Sequence, residues 1–246
     1  MVNRFWLLSI LQLICISVSA QYSQRTLKPD STQILSNSPI SRSHFQFRQL
    51  YIPGALLISG IALNSNGPES FKNEIVEERN EHIPRFRTHI DDFLQFSPIL
   101  AAYSLDGLGI ASKTDLYNRT AILIKGEAAM VGITYIMKKS IHQQRPDGSN
   151  YESFPSGHTA QAFAAATFLS EEYKDRFHWM PYAAYGVAAS VGTFRMVNNR
   201  HYISDVLVGA AIGILSMKAS YWTHHYRLTK KQKEAIAYKR YMEESY

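Results

Sequence analysis

Three short segments of the chain carry the residue types that bind and attack an oxyanion. The first, KKSIHQQRP, sets Lys138 seven residues before Arg145 and closes on Pro146. The second, FPSGH, puts Ser156, Gly157 and His158 directly against an alanine-rich apolar run. The third, RMVNNRHYISD, has Arg195 six residues before His201, and His201 four before Asp205. Each has a plain local explanation. Cations at a helix end compensate its dipole, a serine before an apolar run caps a helix, and His and Asp at i,i+4 pair on a helix face.

The order of the segments argues for more. The first ends one helix and the second starts the next. The third ends the helix after that and starts the last. Antiparallel neighbours joined in this way bring all three to one end of a bundle, with Lys113–Arg119, Glu171–Trp179 and the tail at the other. Lys138, Arg145 and Arg195 would then converge with two histidines. Three cations at a buried bundle end repel one another unless an anion joins them. A phosphate-like oxyanion resolves this, with Arg supplying forked donors and Lys a point charge. Helix starts at Ser156–Gly157 and near Ser204 add N–H groups, and Gly157 lets a ligand approach the backbone. Asp205 beside His201 fixes the imidazole tautomer and leaves the other nitrogen as base or nucleophile. His158 remains as general acid.

The elements that must position these residues read as helices over Asp92–Leu105, Thr120–Ser140, Gly157–Tyr173, Pro181–Met196 and Ser204–Trp222. Alternating β-type patterns are nearly absent, so the fold class is all-α, a helical bundle with the site at one end. Residues 1–20 read as a signal peptide: Arg4, an apolar stretch, then VSA before Gln21. Cys15, the one cysteine, lies inside it, so cleavage would leave no thiolate for a metal or disulfide. Residues 21–50, rich in Ser, Gln and Asn, read as a disordered or extended lead-in. Residues 51–90 read as an N-terminal helical segment, 91–223 as the core and 224–246 as a basic tail.

The chain carries 26 Lys and Arg against 20 Asp and Glu, a net charge of +6. That balance suits an anionic membrane or a phosphorylated substrate. No basic run interleaved with aromatics appears, which argues against nucleic acid. Mean hydropathy is −0.20, and charged residues interrupt the apolar helices. A bundle seated on a membrane and a short-helix integral protein both remain open.

The motifs K-x6-RP, PSGH and R-x5-H-x3-D resemble the three signature segments of the type 2 phosphatidic acid phosphatase (PAP2) superfamily, which shares its site with vanadium haloperoxidases. The likeness covers about Asp91–Trp222. More loosely, the chain is similar to exported bacterial phosphatases of this family, of Bacteroidetes type, some of which act on lipid A. The resemblance implies that His201 is the nucleophile forming a phosphohistidine, that Asp205 orients it, and that His158 protonates the leaving group. It implies that Lys138, Arg145, Ser156, Gly157 and Arg195 hold the phosphoryl oxygens. It implies no metal and no cofactor, a phosphorylated lipid or other phosphate ester as substrate, and a periplasmic or envelope location. Phe194 departs from the family, which commonly has a small residue there. Lys139 and Arg200 adjoin the motifs outside the pattern, either facing substrate or simply exposed. The alternatives are a vanadate-dependent haloperoxidase and a non-catalytic anion-binding envelope protein.

Overall fold

Helix starts and stops in this chain follow local chemistry. The computed structural model describes residues 45–227 apart from 66 and 68, together with 233, 237, 238 and 241. Among the described residues there are helices, turns and loops and no strand. A 3-10 turn at Phe47–Leu50 leads into α1 (Tyr51–Ala62). It is followed by α2 (Phe71–His82), α3 (Ile90–Leu94), α4 (Ser97–Gly107) and α5 (Leu116–Ile141). The order closes with α6 (Gly157–Tyr173), α7 (Met180–Val197) and α8 (Ile203–Trp222). The expected signal peptide with Cys15, residues 21–44 of the lead-in, Pro68 and nearly all of the tail beyond 227 lie outside the described residues. By backbone contacts, the described residues 45–227 fall in one unit.

Two expectations differ from what is observed. The end of the expected lead-in, Phe47–Leu50, is helical, because its neighbours dock on α8. Phe45 packs edge-on to Trp222 at 5.0 Å, and the Trp222 indole N–H donates to Gln49 at 3.0 Å. The helix expected at Asp92–Leu105 is two, α3 and α4, broken at Gln95–Phe96. Pro98 supplies no N–H and its ring would crowd the carbonyl of Leu94, so the first helix stops there and the second starts with the proline in its first turn.

α6 is the central element. Ala160, Ala162, Ala164, Ala165 and Ala166 are buried together with Phe168, and α4, α5, α7 and α8 pack around them. The closest crossing is with α8. A Cβ placed on Gly213 would meet the Ala160 carbonyl oxygen at 2.2 Å, and one on Gly209 the Ser156 carbonyl oxygen at 2.5 Å. Backbone touches backbone there, as small residues four apart permit. α1 lies on the other side of α8, and α3 packs against α7 and α6.

Among the described residues, two non-glycines adopt left-handed backbone, His142 (φ 49°) after α5 and Asn199 (φ 60°) after α7. Both end a cation-bearing helix and turn the chain back over the same end of the bundle, at a local cost of about 1–2 kcal/mol each. At the opposite end, Lys113 N–H donates to the Glu172 carbonyl and Arg119 pairs with Asp106 at 2.9 Å. Among the described residues, two helices, α5 and α8, are long and apolar enough to cross a membrane. The α8 stretch is 72% buried within the fold, the α5 stretch only 22%.

Candidate active site

Asp205 sits in the first turn of α8, fully buried, and its carboxylate is saturated with donors. Ser153 Oγ donates to it at 2.5 Å, the Tyr202 N–H at 3.0 Å, Ser204 Oγ at 3.2 Å and Gln143 Nε2 at 3.3 Å. His201 lies beside it, Nδ1 to Oδ2 at 3.4 Å, with 1% of its side chain exposed. That distance is long for a hydrogen bond, as catalytic pairs often are before substrate tightens them. Burial pushes the imidazole down to about 4; Asp205 opposes this, while Arg195 and Lys138 reinforce it. The ring is therefore neutral near neutral pH, the state a nucleophile requires.

The three expected cations lie within electrostatic reach of one another, and two of them of this pair. Lys138 and Arg195 both act electrostatically on His201, and Arg195 on Arg145. Lys138 Nζ donates to the Glu152 carbonyl at 2.6 Å. Burial, then Arg195 and Arg200, lower the Arg145 guanidinium below its ordinary value. Among the described residues, the buried Nε atoms of Arg145 and Arg195 and Nδ1 of His201 have no hydrogen-bond partner. Buried donors left unpaired cost about 1–3 kcal/mol each, and a tetrahedral oxyanion can satisfy the two guanidinium groups together.

The PSGH turn meets the same place. The Ser156 N–H donates to the Asp205 carbonyl at 3.0 Å, tying the start of α6 to the first turn of α8. Ser156 is fully buried, and its Oγ caps α6 through the Thr159 N–H (3.4 Å) and bonds Thr159 Oγ1 (2.8 Å). Its hydroxyl proton is free for a ligand when Thr159 Oγ1 is the donor in that bond. A Cβ on Gly157 would come no nearer the protein than 3.8 Å, to Thr134, with the Lys138 stem next at 3.9 Å. The fold does not itself require glycine there, so the space over this backbone is what the glycine keeps open.

Lys139 and Arg200 pin the intervening loop. Lys139 pairs with Glu152 at 2.6 Å and Arg200 with Asp147 at 3.0 Å. Arg145 N–H donates to the Asn150 carbonyl and Gly148 N–H to that of Arg145. Phe194 is half-buried beside Arg195. Nothing in the structure explains the substitution.

Sequence reasoning missed the acidic side of the site. Asp91, buried on α3, pairs with Arg195 Nη1 at 2.6 Å, and its other oxygen accepts from Asn198 at 3.2 Å. Asp92 pairs with His158 Nε2 at 2.8 Å. Asn198 also exchanges hydrogen bonds with Thr88, fastening the approach to α3 onto the end of α7. An Asp-Asp pair in a helix's first turn is what the dipole alone would favour, so nothing local set these two apart.

Comparison with known proteins adds to this geometry. The family model described as the PAP2 superfamily matches residues 120–229. A lipid A 1-phosphatase from Porphyromonas gingivalis is 41% identical over 162 residues, which is 61% of this chain and 36% of that protein. The chain thus spans about a third of the length of this curated relative. Among solved structures, Aquifex aeolicus LpxE matches with a TM-score of 0.43 and 24% identity, covering 59% of this chain and 93% of that one. A transmembrane PAP2 type phosphatidylglycerolphosphate phosphatase from Bacillus subtilis matches with a TM-score of 0.49 and 19% identity, covering 71% and 94%. Asp91 and Asp92 precede the stretch similar to the PAP2 superfamily, whereas Lys138, Arg145, Ser156, Gly157, His158, Arg195, His201 and Asp205 all fall inside it.

Proposed function

We propose that this chain is a metal-independent phosphatase that removes a phosphate from a membrane lipid, through a covalent intermediate on His201. One observation carries the reading above the others. Arg145 and Arg195, whose buried Nε atoms are unpaired, cluster with Lys138, and Arg195 and Lys138 act on an imidazole that is held neutral beside a fixed carboxylate. Anion binding alone would not need the oriented His–Asp pair.

The chemistry follows from the placement. Lys138, Arg145, Arg195 and the N–H groups opening α6 hold the nonbridging oxygens, as an electrostatic clamp does. With Nδ1 turned to Asp205, Nε2 of His201 attacks phosphorus. The P–O bond to the leaving group breaks as His158 gives its proton to the departing oxygen. Water then attacks the phosphohistidine, losing its proton to His158, and His201 leaves as free imidazole. The curated relative, a lipid A 1-phosphatase, supports a lipid phosphate as substrate. The exposed apolar side of α5 supports membrane association, and the signal-like residues 1–20 support export with the site facing the periplasm.

The test is phosphate release from detergent-dispersed lipid A and phosphatidate with a chelator present. Activity should persist without divalent metal, His201→Ala should abolish it, and vanadate should inhibit. Full activity in His201→Ala would sink the nucleophile assignment. Halide oxidation by the vanadate-loaded protein with peroxide would favour the haloperoxidase alternative.

A further inference from the structure

The carboxylate of Asp92 belongs to no motif and lies before the stretch that matches the PAP2 superfamily. Yet its Oδ1 is 2.8 Å from Nε2 of His158, and its Oδ2 is 3.2 Å from Nδ1 of His89. Its neighbour Asp91 neutralises Arg195 at 2.6 Å, while Asp92 stands 3.9 Å from the same guanidinium. The two adjacent acids therefore divide their work, one holding a phosphate-facing cation and the other the imidazole of the PSGH turn.

We infer that Asp92 is a positioning residue for the acid step: it grips Nε2 of His158, aims Nδ1 at the leaving oxygen, and favours the protonated ring. The inference rests on the phosphatase reading above. An imidazole at the mouth of a helix can rotate about two side-chain bonds, and a carboxylate on one nitrogen fixes both ring orientation and tautomer. The fold makes a particular effort to present this acid. α3 is a short helix split from α4 at Pro98, and Asn198 ties it to α7 through Asp91 and through the Thr88 backbone. A continuous helix from Asp92 to Leu105 would not need that fastening.

The charged groups around His158 come from several elements. Asp91 and Asp92 approach from α3, Arg195 from α7, and Lys138 from α5, whose stem lies near Gly157. His89 meets the same carboxylate from the far side. Burial and then Arg195 push the His158 imidazole below its ordinary value, and Asp92 opposes them. Burial works against the charge on Asp92, but hydrogen bonds from His89 and His158 outweigh it and hold its carboxyl below the usual range. Removing the charge at 92 therefore lowers the pH at which His158 loses its proton. The alkaline limb of kcat, which requires protonated His158, moves to lower pH.

Leaving-group dependence tests this. The full-length protein in detergent is assayed on dodecyl phosphate, whose alkoxide needs a proton, and on p-nitrophenyl phosphate, whose phenolate does not. Asp92→Asn should lower kcat on dodecyl phosphate by about tenfold to a hundredfold, part of what a general acid supplies. It should lower kcat on the aryl ester by less than about threefold on the same scale. Its alkaline limb should shift downward, and Asp92→Glu should recover part of the loss. Equal losses on both esters with an unmoved limb would overturn the inference and leave Asp92 a merely structural residue, as would no loss at all. Unchanged melting temperatures separate these results from misfolding. Absence of turnover by the wild type on either ester would instead overturn the phosphatase reading, and this inference with it.

Discussion

A histidine kept neutral by burial works as a nucleophile at any pH above its lowered value, so acid should disable His201 only late. With the imidazole near 4, kcat/KM should hold down to about pH 4 and then fall about tenfold per unit. Stability responds over a wider window. The folded value lies below the unfolded value of about 6.5, so the unfolded chain takes up this proton first. The contribution is complete above pH 6.5 and is lost as pH falls toward 4, reaching about 3 kcal/mol. Denaturant midpoints at pH 7 and pH 4.5 should differ more for the wild type than for His201→Gln; equal differences would rule out this origin. His201 and its motif partners were legible in the sequence because Lys, Arg, His and Asp are scarce in apolar helices and here recur at fixed intervals. Asp91 and Asp92 were not, because only the folding of α3 onto α7 and α6 gives them partners 104 and 66 residues away.

At the scale of elements, the site depends on how closely α8 crosses α6. The first turn of α8 carries Asp205 and that of α6 carries His158. The bond from the Ser156 N–H to the Asp205 carbonyl holds only while the two backbones touch. Gly209 and Gly213 make that contact possible. Gly213→Val, whose Cβ would fall 2.2 Å from the Ala160 carbonyl oxygen, must push the helices apart. Overpacking of this kind costs about 1–3 kcal/mol or more, and activity should fall with it as the two histidines separate. Gly54→Ala in α1, where an added Cβ meets nothing within 4 Å, should leave activity unchanged and stabilise by about 0.5–1 kcal/mol. Thermal melts of the two variants check the pair; similar melting temperatures would refute the crossing argument. The long helices could be read in advance because small and apolar residues dominate them between caps and turns, despite the charges that interrupt them. The break between α3 and α4 was hidden by an apolar pattern that continues across Pro98.

The whole molecule presents an imbalance that its own packing leaves unexplained. α8 is apolar because it is mostly enclosed by α1, α5 and α6. α5 is almost as apolar and yet mostly uncovered. Ile124, Val131 and Tyr135 are 64%, 56% and 61% exposed, and with Ala128 they follow the spacing of one helix stripe. A stripe of that length in contact with water forfeits about 25 cal/mol for each Å² of apolar surface, which a lipid environment would return. If the substrate is a membrane lipid, the same contact would bring the site to it. Ile124→Glu combined with Val131→Glu should therefore weaken binding to anionic phospholipid vesicles in flotation assays and slow hydrolysis of lipid presented in them. Turnover of p-nitrophenyl phosphate should stay within about twofold, because neither residue reaches the site and surface changes of this kind seldom exceed 0.5 kcal/mol. Parallel loss on both substrates would mean that the stripe supports the fold, and undiminished flotation would place the membrane contact on another face.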